Sequence, residues 1–149
     1  MSKPRFSALI SPAFQLMLAL CLSAFGLQSQ TIAGTWRTVD DETGEAKSHV
    51  QLYESGGKYF GKVAQLLKSS PDRKCDKCPG ERYMQPILGM IVVENLEIRD
   101  GHLAGGKILD PEKGKWYTCK MWLKEGDPNV LVVRGYLFGF YRTQYWYRV

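Results

Sequence analysis

The residues best suited to chemistry are the two cysteines of Cys75-Asp76-Lys77-Cys78. In an oxidising compartment a pair at this spacing can close a small disulfide ring. Partly exposed and flanked by Lys74 and Lys77, the same pair could instead carry lowered thiol pKa values and exchange with partners, or supply two ligands to a metal. Pro79 stands where a haem attachment motif needs histidine, and no strand-to-helix start of the thioredoxin type surrounds the first sulfur. A structural disulfide is the favoured reading.

Cys119 leaves the count odd. In Tyr117, Cys119, Met121 and Leu123 it shares an apolar face by alternation, which suggests a buried thiol acting as a small hydrophobe. The alternative is a bridge from Cys119 to Cys75 or Cys78 that clamps a long loop over a sheet. A zinc site would need the loop pair, Cys119 and a fourth ligand from His49 or His102, and no local spacing supports that assembly.

The two histidines are single and far apart, so a solvated or hydrogen-bonded role outweighs a catalytic one. Asp40 and Asp41 sit in a turn-forming stretch and read as turn formers before they read as an acid and base. Gly-x-Ser-x-Gly, His-Glu-x-x-His, phosphate-loop and calcium-loop patterns are absent from the sequence. With no catalytic constellation and no cofactor motif, the expectation is a protein that binds and does not catalyse.

The compartment is read from the first residues. Lys3 and Arg5 precede an apolar run over residues 14–25 that is too short for a stable membrane span, the pattern of a removable signal peptide over residues 1–26. Cleavage is expected near Ala24-Phe25-Gly26, with the mature chain starting between Leu27 and Gln30. Cys21 could be the lipid-bearing residue of a lipoprotein, but Leu20 stands where that processing wants a small side chain. A periplasmic or extracellular home is therefore expected for a single domain over residues 27–149.

Beyond Lys3 and Arg5 the chain carries 18 basic and 15 acidic side chains, a net +3. Signs alternate, as in Asp72-Arg73-Lys74-Cys75-Asp76-Lys77, and form no basic stripe, which argues against nucleic acid as a partner.

The elements that must position these residues are strands. Stretches 34–39, 46–54, 58–67, 95–99, 102–109, 115–124, 130–136 and 141–149 are apolar or alternating and are separated by turn residues such as Ser55-Gly56-Gly57 and Asp100-Gly101. Residues 87–93 read as a further strand or a short helix, after a long polar loop over 68–85. About eight strands joined by tight turns predict an all-β, antiparallel up-and-down barrel, since closure removes exposed edges. A sandwich is the alternative.

In the last strand Arg142, Gln144, Trp146 and Arg148 share one face, with Tyr141, Thr143, Tyr145 and Tyr147 on the other. One face is expected to line a cavity or core and the other to rest against a loop. Gly34-Thr35-Trp36 opens the first strand, and Trp36 with Arg148 could close the barrel base by stacking a guanidinium on an indole. The lipocalin and fatty-acid-binding families share that arrangement; the alternative is that Trp36 only fills the core.

Tyr53, Phe60, Tyr117, Met121 and Tyr145 are candidates to line a pocket for a small hydrophobic or amphipathic ligand, with Arg134 or Arg142 meeting an acidic head group. They could equally be plain barrel filling. Two other functions stay open: a periplasmic thiol-disulfide or metal-binding protein using Cys75 and Cys78, and an envelope protein-protein interaction module.

Several motifs in order, Gly34-Thr35-Trp36, Tyr59-Phe60-Gly61-Lys62-Val63, Pro86-Ile87-Leu88-Gly89-Met90, Gly105-Gly106-Lys107-Ile108-Leu109-Asp110-Pro111, Arg134-Gly135-Tyr136 and Arg142-Thr143-Gln144-x-Trp146-x-Arg148, resemble the bacterial secreted family DUF2147. The resemblance spans the expected mature chain. It implies a lipocalin-like (calycin-type) barrel and export, and brings no ligand or catalytic residue with it. Tyr141 stands where the family usually has glycine, which leaves the shape of the last hairpin open.

Overall fold

A computed structural model describes residues 31–149, and the signal segment expected at residues 1–26, Cys21 included, lies outside the described residues. Eight antiparallel strands follow one another around a closed barrel: β1 (Gly34–Val39), β2 (Ala46–Ser55), β3 (Lys58–Leu66), β4 (Ile91–Arg99), β5 (His102–Asp110), β6 (Lys115–Lys124), β7 (Asp127–Leu137) and β8 (Phe140–Arg148). Each strand pairs with its sequence neighbour, and β1 pairs with β8 through Trp36 opposite Arg148 and Arg37 opposite Tyr147. That pairing closes the sheet into a barrel, so the sandwich alternative is set aside.

Alternation decides which side chains face in. Trp36 and Thr38, Val50 and Leu52, Gly61 and Val63, and Cys119 and Met121 are buried at every second position, and the residues between them, such as Arg37, Gln51, Lys62 and Lys120, are exposed. Leu96, Leu103, Leu131 and Trp146 complete the packed interior. Residues 130–133 are buried on both faces, because Trp122, Tyr145 and Tyr147 stand beside Val132 and Val130 on the outer wall.

Two expectations are corrected, for residues 87–93 and for the outer face of β8, and the last hairpin, left open by the sequence, is settled. Residues 87–93 form neither a separate strand nor a helix; Ile87 and Met90 anchor the end of the long loop, and β4 runs unbroken from Ile91 through Asn95. Gly89 donates its N–H to Val63 O and Val63 donates to Met90 O, which fixes a turn there and delays the strand. The long connection thus covers residues 67–90 and holds an isolated bridge between Lys74 and Pro86 and one 3-10 turn at Gly80–Arg82.

The last hairpin turns at Phe138 and Gly139, both at positive φ (50° and 82°), and not at the position Tyr141 occupies. Tyr141 lies on the outer wall opposite Tyr136. The outer face of β8 does not rest against a loop; its tyrosines are exposed, with Arg37 over Tyr147 and Arg134 over Tyr141.

Candidate functional site

The barrel has two unlike ends. At the closed end Trp36 is 0% exposed, and its Nε1–H donates to Ile32 O at 2.9 Å. The Arg148 guanidinium lies 4.2 Å from the indole centroid and donates to Thr31 O (2.9 Å), Ala33 O (3.4 Å) and Pro128 O (3.5 Å). Its fork thereby ties the chain before β1 to the start of β7 while covering the ring. Gly34, at φ 136°, is the residue that lets the guanidinium pass, since a Cβ there would stand 3.0 Å from Arg148 Nη1.

At the other end, where β1–β2, β3–β4, β5–β6 and β7–β8 connect, the interior opens into a cavity of about 310 Å³. Val50, Val63, Val92, Ile108, Tyr117, Val133 and Trp146 form its apolar wall, and Gly135 leaves space beside Tyr117. Trp146 is 3% exposed, and among the described residues its Nε1–H has no hydrogen-bond partner. The mouth is polar: Thr38, Ser48, Gln144, Lys47, Lys68, Arg73, Arg142, Asp110 and Glu112 border it.

Ion pairs brace that mouth. Lys47 Nζ meets Glu112 Oε2 at 2.6 Å, Lys68 Nζ meets Glu45 Oε2 at 2.8 Å and Asp40 Oδ2 at 3.4 Å, and Arg142 pairs with Asp41. The β1–β2 loop is held from within as well. Asp40 Oδ1 accepts the N–H groups of Thr43 (3.1 Å) and Glu42 (3.0 Å), and these bonds, with Lys68 beside them, lower its pKa to about 2.

Because the folded-state pKa lies below the ordinary 3.8, Asp40 adds stability above pH 4 that disappears as pH falls through about 2. An NMR titration of the Asp40 carboxyl is expected to show a midpoint near 2. A midpoint near 3.8 would mean the loop clamp is not formed in solution.

The long loop supplies part of the wall. Cys75 and Cys78 are disulfide-bonded (S–S 2.00 Å) and buried, at 0% and 3% exposure. Cys75 Sγ lies 3.4 Å from Pro111 O, and a Cβ on Gly114 would fall 1.8 Å from Lys77 O. Thus the loop packs backbone to backbone on the β5–β6 turn and presents Arg73 and Ile87 to the cavity. Cys119 is a buried free thiol on β6, with its pKa pushed up to about 12 by burial, so the bridge from Cys119 to the loop pair does not form.

Of the residues expected around a ligand, Tyr117 and Arg142 border the cavity. Met121 faces inward, fully buried in the packed core, and does not border it. Tyr53, Phe60, Tyr145 and Arg134 are on the outer wall. Tyr53 follows the inward Leu52 and stacks on Phe60 at 5.9 Å, Tyr145 precedes the inward Trp146, and Arg134 follows the inward Val133 and lies over Trp122 and Tyr141. Strand alternation leaves no other place for them.

His49 sits on the outer wall of β2, and His102 packs edge-on to Trp122 at 5.2 Å. Among the described residues no three His, Cys, Asp or Glu side chains gather as a metal site, and no helix is long and apolar enough to cross a membrane.

Residues 34–148 match the family described as "Uncharacterized protein conserved in bacteria (DUF2147)". The chain belongs to that family. The DUF2147 match runs from the first strand to the last, so it takes in both the Trp36 and Arg148 plug and the cavity above it. The fold is also similar to a solved structure described as "Protein HP1028 from the human pathogen Helicobacter pylori belongs to the lipocalin family", with a TM-score of 0.68 and 18% identity over 80% of this chain and 83% of that one. No curated protein matches the sequence. The DUF2147 chain is therefore an all-β, eight-stranded closed barrel of lipocalin-like fold.

Sequence reasoning did not reach Lys47, Lys68, Arg73, Ile87 or Gly135 as wall residues. The first four come from a strand edge and a long loop whose placement depends on contacts distant in sequence. Gly135 carried a signal, since a glycine beside an inward aromatic of the neighbouring strand, here Tyr117, makes room where a side chain would fill it.

Proposed function

We propose that this is an exported binding protein, periplasmic or extracellular, that holds a small apolar or amphipathic ligand in the open half of its barrel and performs no catalysis. The observation that carries this reading is the cavity of about 310 Å³, apolar below and polar at its mouth, which falls within the usual range for small-molecule sites. The packed core beneath it means the space is confined to one end of the barrel and is not a channel.

Thiol-disulfide exchange is the weaker reading. An attacking thiolate must reach a sulfur, and both loop sulfurs are buried against the β5–β6 turn. Neither histidine borders the cavity, so no histidine-activated nucleophile is assembled on its wall.

The test uses the fluorescent probe 1-anilinonaphthalene-8-sulfonate together with mass spectrometry of material co-purified without detergent. Gln144→Trp, which fills the mouth from a half-buried position, is expected to weaken probe binding about tenfold. Tyr53→Ala, on the outer wall, is expected to leave it unchanged. Equal binding by Gln144→Trp and the parent protein would place the probe elsewhere and remove the cavity as the site.

A further inference from the structure

We propose that the cavity selects a short amphipath with a single negative charge, a medium-chain carboxylate in kind, whose head group is held at the mouth by Arg73. This deepens the binding function above and rests on it.

The size limit follows from the volume together with the packed floor beneath it. A cavity of about 310 Å³ stands at the small end of the range for small-molecule sites. Below the cavity, Trp36, Leu52, Leu96 and Met121 are fully buried and packed, so a longer chain finds no continuation into the barrel base. A long-chain lipid would have to leave part of its apolar length in water, which forfeits the burial that would bind it.

The head-group assignment follows from the charges at the mouth taken one at a time. Lys47 is paired with Glu112, Lys68 with Asp40 and Glu45, and Arg142 with Asp41. Asp110 spends Oδ1 on the N–H groups of Glu112 (3.0 Å) and Lys113 (3.3 Å) of its own turn. Among the described residues, Arg73 is the one cation of the cavity lining that makes no ion pair. A guanidinium offers donors and no acceptor, so the group it is built to receive is an anion.

Arg73 is also held in place by its backbone. Its N–H donates to Ser70 O (3.1 Å) and its carbonyl accepts from Ile87 N–H (3.0 Å), one residue from the Lys74 and Pro86 bridge and two from the buried Cys75. Its backbone is thus fixed before a ligand arrives, which lowers the cost of ordering it.

The experiment is isothermal titration of the protein with octanoate, octan-1-ol and hexadecanoate, repeated on Arg73→Ala and Arg73→Lys. Octanoate is expected to bind about tenfold more tightly than octan-1-ol, the scale of one charge-assisted contact at an exposed mouth. Arg73→Ala, a change to an exposed side chain, should erase that difference without altering octan-1-ol binding, and Arg73→Lys should restore part of it. Hexadecanoate is expected to bind no more tightly than octanoate.

Equal affinity for acid and alcohol, or an acid preference that survives Arg73→Ala, overturns the head-group assignment while leaving the cavity a binding site. Tighter binding of hexadecanoate overturns the size limit. If none of the three compounds binds and 1-anilinonaphthalene-8-sulfonate is also refused, the ligand-binding function itself falls.

Discussion

Trp36→Ala is expected to lower the unfolding free energy by about 4 kcal/mol, the usual cost of deleting a fully buried tryptophan. For a domain of this size that corresponds to a fall in Tm of about 15 °C. The cost has two sources. The indole is 0% exposed at the closed end, and its removal strips the surface on which the Arg148 guanidinium rests at 4.2 Å. It also weakens the seam that closes the barrel, because β1 and β8 are joined by only two register pairs, one of them Trp36 with Arg148.

Denaturant unfolding followed by far-ultraviolet circular dichroism measures this without relying on the deleted chromophore. Arg148→Lys keeps the charge and loses the fork that reaches Thr31, Ala33 and Pro128, so it should cost less, about 1 kcal/mol. A Trp36→Ala loss below about 1 kcal/mol would show that closure depends on the strand ladder alone.

The contrast between the two ends of the barrel also separates what was legible in the sequence from what was not. The plug could be read because Trp36 opens a strand that follows a Gly-x-Trp pattern and Arg148 stands one residue from the end of the chain; up-and-down closure must bring first and last strands together. Seven of the eight strands could be placed for a similarly local reason, since turn residues punctuate alternating runs. The start of β4 could not, because the Gly89 turn that delays it is fixed by bonds to Val63, some twenty-five residues away in the chain.

Which face of a strand points inward was the harder question. Tyr53, Phe60 and Tyr145 are aromatic and alternate as core residues do, yet they lie outside. Some outer-wall aromatics pair across strands, as Tyr53 does with Phe60, or lie under arginines, as Trp122 and Tyr141 lie under Arg134, so aromatic identity carries no mark of the face it occupies. Small and polar residues tell more here. Thr38, Ser48, Gly135 and Gln144 sit at the inward positions toward the open end, and their lack of bulk is what leaves the cavity unfilled. The loop residues Arg73 and Ile87 were beyond any local rule, because what places them is the packing of Lys77 on Gly114 and of Cys75 on Pro111.

That packing sets the second large effect. Replacing both loop cysteines, as Cys75→Ala with Cys78→Ala, is expected to cost about 2 kcal/mol through the chain entropy released by opening so short a ring. The Tm should fall by about 8 °C. Alanine is chosen because serine would bury two hydroxyls at positions that are 0% and 3% exposed, adding a desolvation cost unrelated to the cross-link.

The consequence for binding is more telling than the loss of stability. The backbone bonds from Cys75 to Gln85 and from Met84 to Cys75 hold the two limbs of the loop together, and the same limbs carry Arg73 and Ile87 to the cavity. Opening the ring should raise amide hydrogen exchange over residues 70–88 while β1, β2, β7 and β8 stay protected, and should weaken octanoate binding by at least the amount lost in Arg73→Ala. Unchanged exchange in the loop would show that burial alone holds it, in which case the cysteines stabilise the chain without shaping the site. A loosened loop with unaltered octanoate affinity would instead detach Arg73 from the ligand. The cross-link is thus the point at which a covalent feature of three residues' span reaches the mouth of the barrel, because the loop it closes is also the wall that the ligand meets first.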